Sequence, residues 1–253
     1  MTSFKALRIH QAGKSTSARF DRITLDDLHA GDSQNTVTIR VAYSGLNYKD
    51  ALAVTGKGRI MRRFPCVAGI DLSGVVESSD SPAFKPGDPV LVTGCYIGEV
   101  LDGGLAEFAR VPAEAVVPLP ENLSLFEAMA FGTAGFTAAL ALRRMLDNHQ
   151  SPELGPIAVT GATGGVGGIA LGLLKRAGFS TAAITGKKHQ AEYLQQLGAD
   201  QSEHADRDAR HRTRRGAAHM RRAGGRKRAW AQRRTHRQPV RPKSWGTSPC
   251  RSM

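Results

Sequence analysis

A chain of 253 residues with 41% apolar residues is long enough to bury a core in one large domain or two small ones. Its net charge of +13 invites a nucleic-acid reading, yet residues 1–200 hold 19 basic and 19 acidic side chains while residues 201–253 hold 16 and 3, so the main body carries no basic excess. Cys66, Cys95 and Cys250 fit no CxxC or zinc spacing, Met1–Thr16 lacks the apolar run of an export signal, and a reduced, cytoplasmic, metal-free protein is expected. The apolar, uncharged run Ala128–Leu142 falls short of the roughly 18 residues of a membrane span and reads as a buried helix, so no membrane partner is expected.

Phe4–Ile9 and Val37–Tyr43 read as strands, and alternation in the second places Val37, Ile39, Val41 and Tyr43 on one face. From Ser44 to Leu52 a strand gives way to a short helical turn. Further strands follow at Gly69–Glu77 and Pro89–Thr93, with the turn Lys85-Pro86-Gly87-Asp88 between them, and another at Ala106–Val111. Several short strands ahead of any long helix predict a compact β-barrel-like unit. Ser124-Leu125-Phe126-Glu127 has capping-box spacing before an apolar run, and Thr133–Leu146 is helical.

Gly155–Ala170 then reads as a strand running into a glycine-crowded turn, with a helix over Ile169–Ala177 closed by Gly178 and a second strand at Ser180–Ile184. Residues without a Cβ let a backbone approach a pyrophosphate, and the free N–H groups of the following helix face the anion. The candidates for that contact are Thr163, Gly164, Gly165 and Val166. The spacing Gly161, Gly164, Gly167 departs from G-x-G-x-x-G, and a turn serving only helix–strand packing is the plainer alternative. A Walker-type loop is excluded, because no Lys-Ser/Thr follows the last glycine. At the end of the second strand, Thr185-Gly186-Lys187-Lys188 offers a hydroxyl and cations where an NAD site wants a carboxylate. NADPH is therefore expected, with Thr185, Gly186 and Lys187 near its 2′-phosphate; two lysines on a solvated turn are the alternative.

Six segments in order, Ser44–Ala51, Thr55-Gly56-Lys57-Gly58, Gly69–Gly74, Gly103-Gly104-Leu105-Ala106-Glu107, Gly132–Ala138 and Val159–Gly167, resemble the quinone oxidoreductase branch of the medium-chain dehydrogenase/reductase superfamily, and within it the acrylyl-CoA reductase group. The resemblance runs from about residue 4 to Asp200. It implies an α/β chain with a GroES-like β-rich catalytic domain over 1–122 and an incomplete Rossmann NADPH-binding domain over 123–200. It also implies a zinc-free member, since zinc-dependent relatives carry Cys near Leu46-Asn47 and Gly-His-Glu at Gly69-Ile70-Asp71. The implied reaction is hydride transfer to the β-carbon of an enoyl thioester such as acryloyl-CoA, with a quinone as the other acceptor. In that reading Tyr48 contacts the cofactor and Asn47 donates to an enolate oxygen; a Tyr packed under the barrel and an Asn acting as a helix cap are the alternatives. Asp71 reads as a structural acceptor, Thr133 and Thr137 as residues facing the cofactor or bonding back to their helix, and the loop with Lys57, Arg59, Arg62 and Arg63 as a solvated loop or a CoA phosphate site. A homodimer is expected of the intact family.

After Asp200 the composition changes: residues 201–253 hold 14 Arg and 2 Lys but no Leu, Ile, Phe or Tyr. A disordered tail is expected, read first as the product of a shifted reading frame, next as an inert extension, and last as an arm binding nucleic acid.

Overall fold

The computed structural model describes residues 3–204, and the expectations for residues 205–253 lie outside them. The strands β1 (Phe4–Ala12) and β2 (Ser15–Ile23) form an antiparallel hairpin, followed by β3 (Thr36–Tyr43) and the helix α1 (Tyr48–Thr55). Next come β4 (Cys66–Val67), β5 (Asp71–Ser79), β6 (Pro89–Thr93), β7 (Phe108–Pro112) and β8 (Val117–Pro118). The second half holds α2 (Leu125–Asp147), β9 (Ile157–Thr160), α3 (Gly165–Arg176), β10 (Thr181–Thr185), α4 (Ala191–Gln196) and β11 (Gln201–His204).

Two antiparallel sheets, ordered β2-β1-β4 and β7-β3-β5-β6-β8, make the β-rich unit. Leu105–Glu107 stitches them together: Leu7 N–H donates to Leu105 O at 2.8 Å, and Val41 N–H to Glu107 O at 2.9 Å. The main core, enclosed by the five-stranded sheet, is β-branched, with Val37, Ile39, Val90, Val92 and Val111 fully buried, which is what a pleated surface packs best. The predicted single apolar face of β3 holds for Val37 and Ile39 and fails at Tyr43, which is 46% exposed; pairing with β5 shifts register at Thr38/Ile39 and again at Val41/Tyr43.

The second unit is a parallel sheet ordered β11-β10-β9 with α3 crossing between β9 and β10, the βαβ unit that the glycine stretch predicts. The helix starts four residues ahead of the expected Ile169, where Gly165, Gly167 and Gly168 lie close against Ala134, Gly161 and Leu197 respectively. Gly178 closes it as expected, at φ 84° with Phe179 N–H reaching back to Leu174 O at 3.0 Å. The sequence expectation of a tail beginning at 201 is corrected by β11, whose Gln201–His204 pair with Ala182–Thr185.

The helix α2 joins the two units. Its N-terminus is the expected capping box, with Glu127 N–H donating to Ser124 Oγ at 3.2 Å and Ser124 N–H to Glu127 Oε2 at 2.8 Å. Gly132, at φ 48° and ψ −152°, breaks it in the middle, between the half that lies on the barrel sheet and the half that lies on α3. It is the one helix among the described residues long and apolar enough, by length and composition, to cross a membrane. The expectation of a buried helix is corrected: Phe131, Phe136, Leu140 and Leu146 are 45–61% exposed, and burial is confined mainly to small residues such as Ala128, Gly135 and Ala138.

Candidate functional site

The break in α2 meets the turn before α1 at a single carboxylate. Asp71, first residue of β5 and 1% exposed, accepts from Asn47 Nδ2 at 2.8 Å, from Thr133 N–H at 2.8 Å and from Thr133 Oγ1 at 2.6 Å. Thr133 opens the second half of α2, so Asp71 caps that half-helix from outside it, where a negative charge is favoured. The fit is close: a Cβ on Gly132 would stand 2.6 Å from Asp71 Oδ2. Asp71 is therefore a structural acceptor, as its place in the sequence suggests. Thr133 faces this carboxylate, and Thr137 Oγ1 donates back to Thr133 O at 2.7 Å.

Asn47 caps α1, with its own N–H donating to Asp50 Oδ2 at 2.8 Å, so the cap alternative for this residue is realised. One of its two amide hydrogens goes to Asp71. Tyr48 is the next residue and 81% exposed, which excludes the reading of a tyrosine packed under the barrel; its phenol has no partner among the described residues. Beneath this turn, Asp50 is buried and accepts from Ile70 N–H at 3.1 Å; desolvation raises its pKa against the bonds that lower it.

The glycine turn is shaped for close backbone approach. Gly161 has φ 64°, and a Cβ on Gly167 would meet Gly161 O at 2.5 Å. Gly164 begins α3 without any side-chain cap, so the first-turn N–H groups of Gly165, Val166 and Gly167 keep no intrahelical partner and no capping oxygen. Those groups fit an anionic diphosphate. A cavity of about 550 Å³ lies alongside, lined by Thr163, Gly164 and Gly165 with Phe131, Arg176 and Tyr193. Val166, 43% exposed, is not part of its lining. Thr185 closes β10 with its side chain mostly buried, accepting from Lys187 N–H at 3.1 Å, while Gly186 and Lys187 are exposed.

Sequence reasoning passes over three features. Gly94, Cys95 and Tyr96 have successive φ values of 68°, 50° and 65°, a left-handed run that puts Tyr96 on the surface just after β6, the neighbour of β5. Asp102, fully buried, accepts from Val67 N–H at 2.6 Å and His29 N–H at 2.7 Å and stands 2.8 Å from Arg63. Burial and then the charge of Asp102 push the Cys66 thiol up to about 12. The aspartates at turns and strand starts are the available signal; their partners, 24 to 73 positions away, are not in the local pattern. Among the described residues no group of three or more His, Cys, Asp or Glu is placed to hold a metal ion.

Residues 33–121 match the alcohol dehydrogenase GroES-like domain. The chain is 46% identical over 191 residues to the acrylyl-CoA reductase AcuI of Ruegeria pomeroyi, covering 76% of this chain and 56% of that protein. Among solved structures, the yhdH oxidoreductase of Salmonella enterica in complex with NADP is 45% identical with a TM-score of 0.76, and yhfP of Bacillus subtilis with NAD bound is 48% identical with a TM-score of 0.76. Each match covers 81% of this chain and 61% of that structure's chain. The chain thus spans about three fifths of the length of the relatives it matches. Its matched domain, these likenesses and the barrel joined through a broken helix to a βαβ unit give it the fold of the medium-chain dehydrogenase/reductase superfamily.

Proposed function

We propose that the chain is built for NADPH-dependent reduction of an α,β-unsaturated thioester such as acryloyl-CoA. The observation that carries the reading is the uncapped start of α3 behind Gly161, with a β10 that ends at Thr185 and is followed by Gly186-Lys187 and no acid. When bound, NADPH would supply the hydride. The backbone donors of Gly165 to Gly167 would hold its diphosphate, with Thr163 and Gly164 forming the turn. Lys187 would face the 2′-phosphate, where a carboxylate would repel it. At the other end, the free phenol of Tyr48 and the remaining amide hydrogen of Asn47 are donors for the substrate oxygen as negative charge develops there.

The thioester is favoured by the acrylyl-CoA reductase name of the Ruegeria relative. A quinone is the second acceptor, favoured by the quinone oxidoreductase name carried by the Bacillus YhfP relative. The structural neighbours carry NADP in one case and NAD in another, so the choice for this chain rests on Thr185 to Lys187. NADPH oxidation by the purified chain with acryloyl-CoA, a quinone and a trans-2-enal tests the reading. Turnover fastest with acryloyl-CoA and a preference for NADPH over NADH are expected. No turnover with any acceptor, together with salt-sensitive RNA binding, would replace the enzyme by a non-catalytic fragment with a basic arm.

A further inference from the structure

The loop of residues 56–63, between α1 and β4, holds four cations that the reading above does not use. Hydrophobic side chains pin it down: Ile60, Met61 and Phe64 pack on the small core of Ile9, Ala53 and Ala68, and Gly58 lies against Leu52 of α1. Arg63 is turned inward, its guanidinium bonded to Val100 O and Pro65 O, each at 2.9 Å, and paired with Asp102. Nearby, Lys49 is neutralised by an ion pair with Glu99. Lys57, Arg59 and Arg62 differ: all are exposed, and their side chains have no hydrogen bond or ion pair among the described residues. Between Asp50 and Asp71 the sequence has no acidic residue to neutralise them.

We propose that Lys57, Arg59 and Arg62 form the subsite for the phosphates of a CoA thioester whose acyl end lies at Tyr48; this rests on the reductase reading and sharpens its substrate class. The spacing fits. Tyr48 begins α1 and Lys57 follows its end, about 12 Å away at 1.5 Å per residue, after which the loop folds back along the helix, with Gly58 against Leu52 and Arg62 N–H donating to the backbone oxygen of Glu99, the partner of Lys49. A pantetheine arm is as long as about four residues of extended chain, roughly 14 Å. An anchored loop presents the cations with part of their ordering already accomplished, and guanidinium groups suit phosphate oxygens. A quinone has no phosphate for them to hold, so the same loop would separate the two acceptor classes.

The test is the affinity of the full chain for CoA and for pantetheine, which lacks the phosphates, measured by calorimetry with NADPH present so that CoA does not occupy the dinucleotide site. CoA is expected to bind about tenfold more tightly than pantetheine, the effect of three exposed charge contacts of ordinary strength. The variant Lys57→Gln/Arg59→Gln/Arg62→Gln is expected to abolish that difference while keeping the NADPH affinity and melting temperature of the parent. Equal binding of CoA and pantetheine, or a CoA affinity unmoved in the triple variant, would overturn the subsite. Absence of NADPH binding in parent and variant alike, with the CoA difference intact, would support the subsite and count against the reductase reading alone.

Discussion

The barrel and the βαβ unit are held together differently. In the barrel, Val37, Ile39, Leu72, Val90 and Val92 are fully buried against one another, and Asp50, Asp71 and Asp102 are satisfied by donors from separate elements. In the βαβ unit, Leu171 and Leu194 are fully buried but many of their neighbours are small, and Val166, Tyr193 and the phenylalanines of α2 remain exposed. A barrel that fills its own interior tolerates the loss of outside support, whereas a three-stranded sheet with one crossover helix leans on α2 for much of its cover. The two regions should therefore fail separately.

Gly167→Val is expected to have the largest effect, since its side chain would begin 2.5 Å from Gly161 O. NADPH binding should vanish in titration calorimetry while Cys66, buried and with its pKa at about 12, stays unlabelled by thiol reagents. Labelling of Cys66 in that variant would show the regions to be one cooperative unit. Leu72→Ala and Leu171→Ala remove the same atoms from the two cores and should each cost about 2–5 kcal/mol in urea unfolding. The comparison predicts the larger loss at Leu72, where β-branched neighbours cannot collapse into the space. Asp71→Ala, which strands three donors at the junction, should cost on the order of 1–3 kcal/mol per buried unpaired group and weaken NADPH binding as well. Ser124→Ala removes the cap of α2 for about 1 kcal/mol in thermal melts.

The smallest expected effect is one of pH. Burial raises the Asp50 pKa, so the folded barrel holds that proton more tightly than the unfolded chain does. Its stability contribution then falls as pH rises from the ordinary aspartate value through the raised one, and Asp50→Asn should flatten unfolding free energy across that window. A steeper slope in the variant would count against it.

Local chemistry made the second unit legible. Apolar strand, glycine turn, apolar helix and Gly178 follow one another in order, and the chain folds as they read, give or take the start of α3. The hairpin strand β2 is hidden because its sequence, Ser15–Ile23, is mostly polar and its side chains mostly exposed; its pairing with β1 supplies what its pattern lacks. At the site, the two possible roles of Asn47 share one local sequence, and only the fold brings Asp71 and Thr133 to it from 24 and 86 positions away. The uncommitted state of Lys57, Arg59 and Arg62 is equally invisible in sequence, where Arg63 looks the same as its neighbours.

The elbow at Gly132 gives the molecule a gear. Thr133, the first residue after the break, is bonded to Asp71, and Asp71 holds the amide of Asn47, so a tilt of the second half-helix would reach the turn bearing Tyr48 through two hydrogen-bonded steps. A dinucleotide seated on α3 would thereby tighten or slacken the Asn47–Tyr48 turn without touching it.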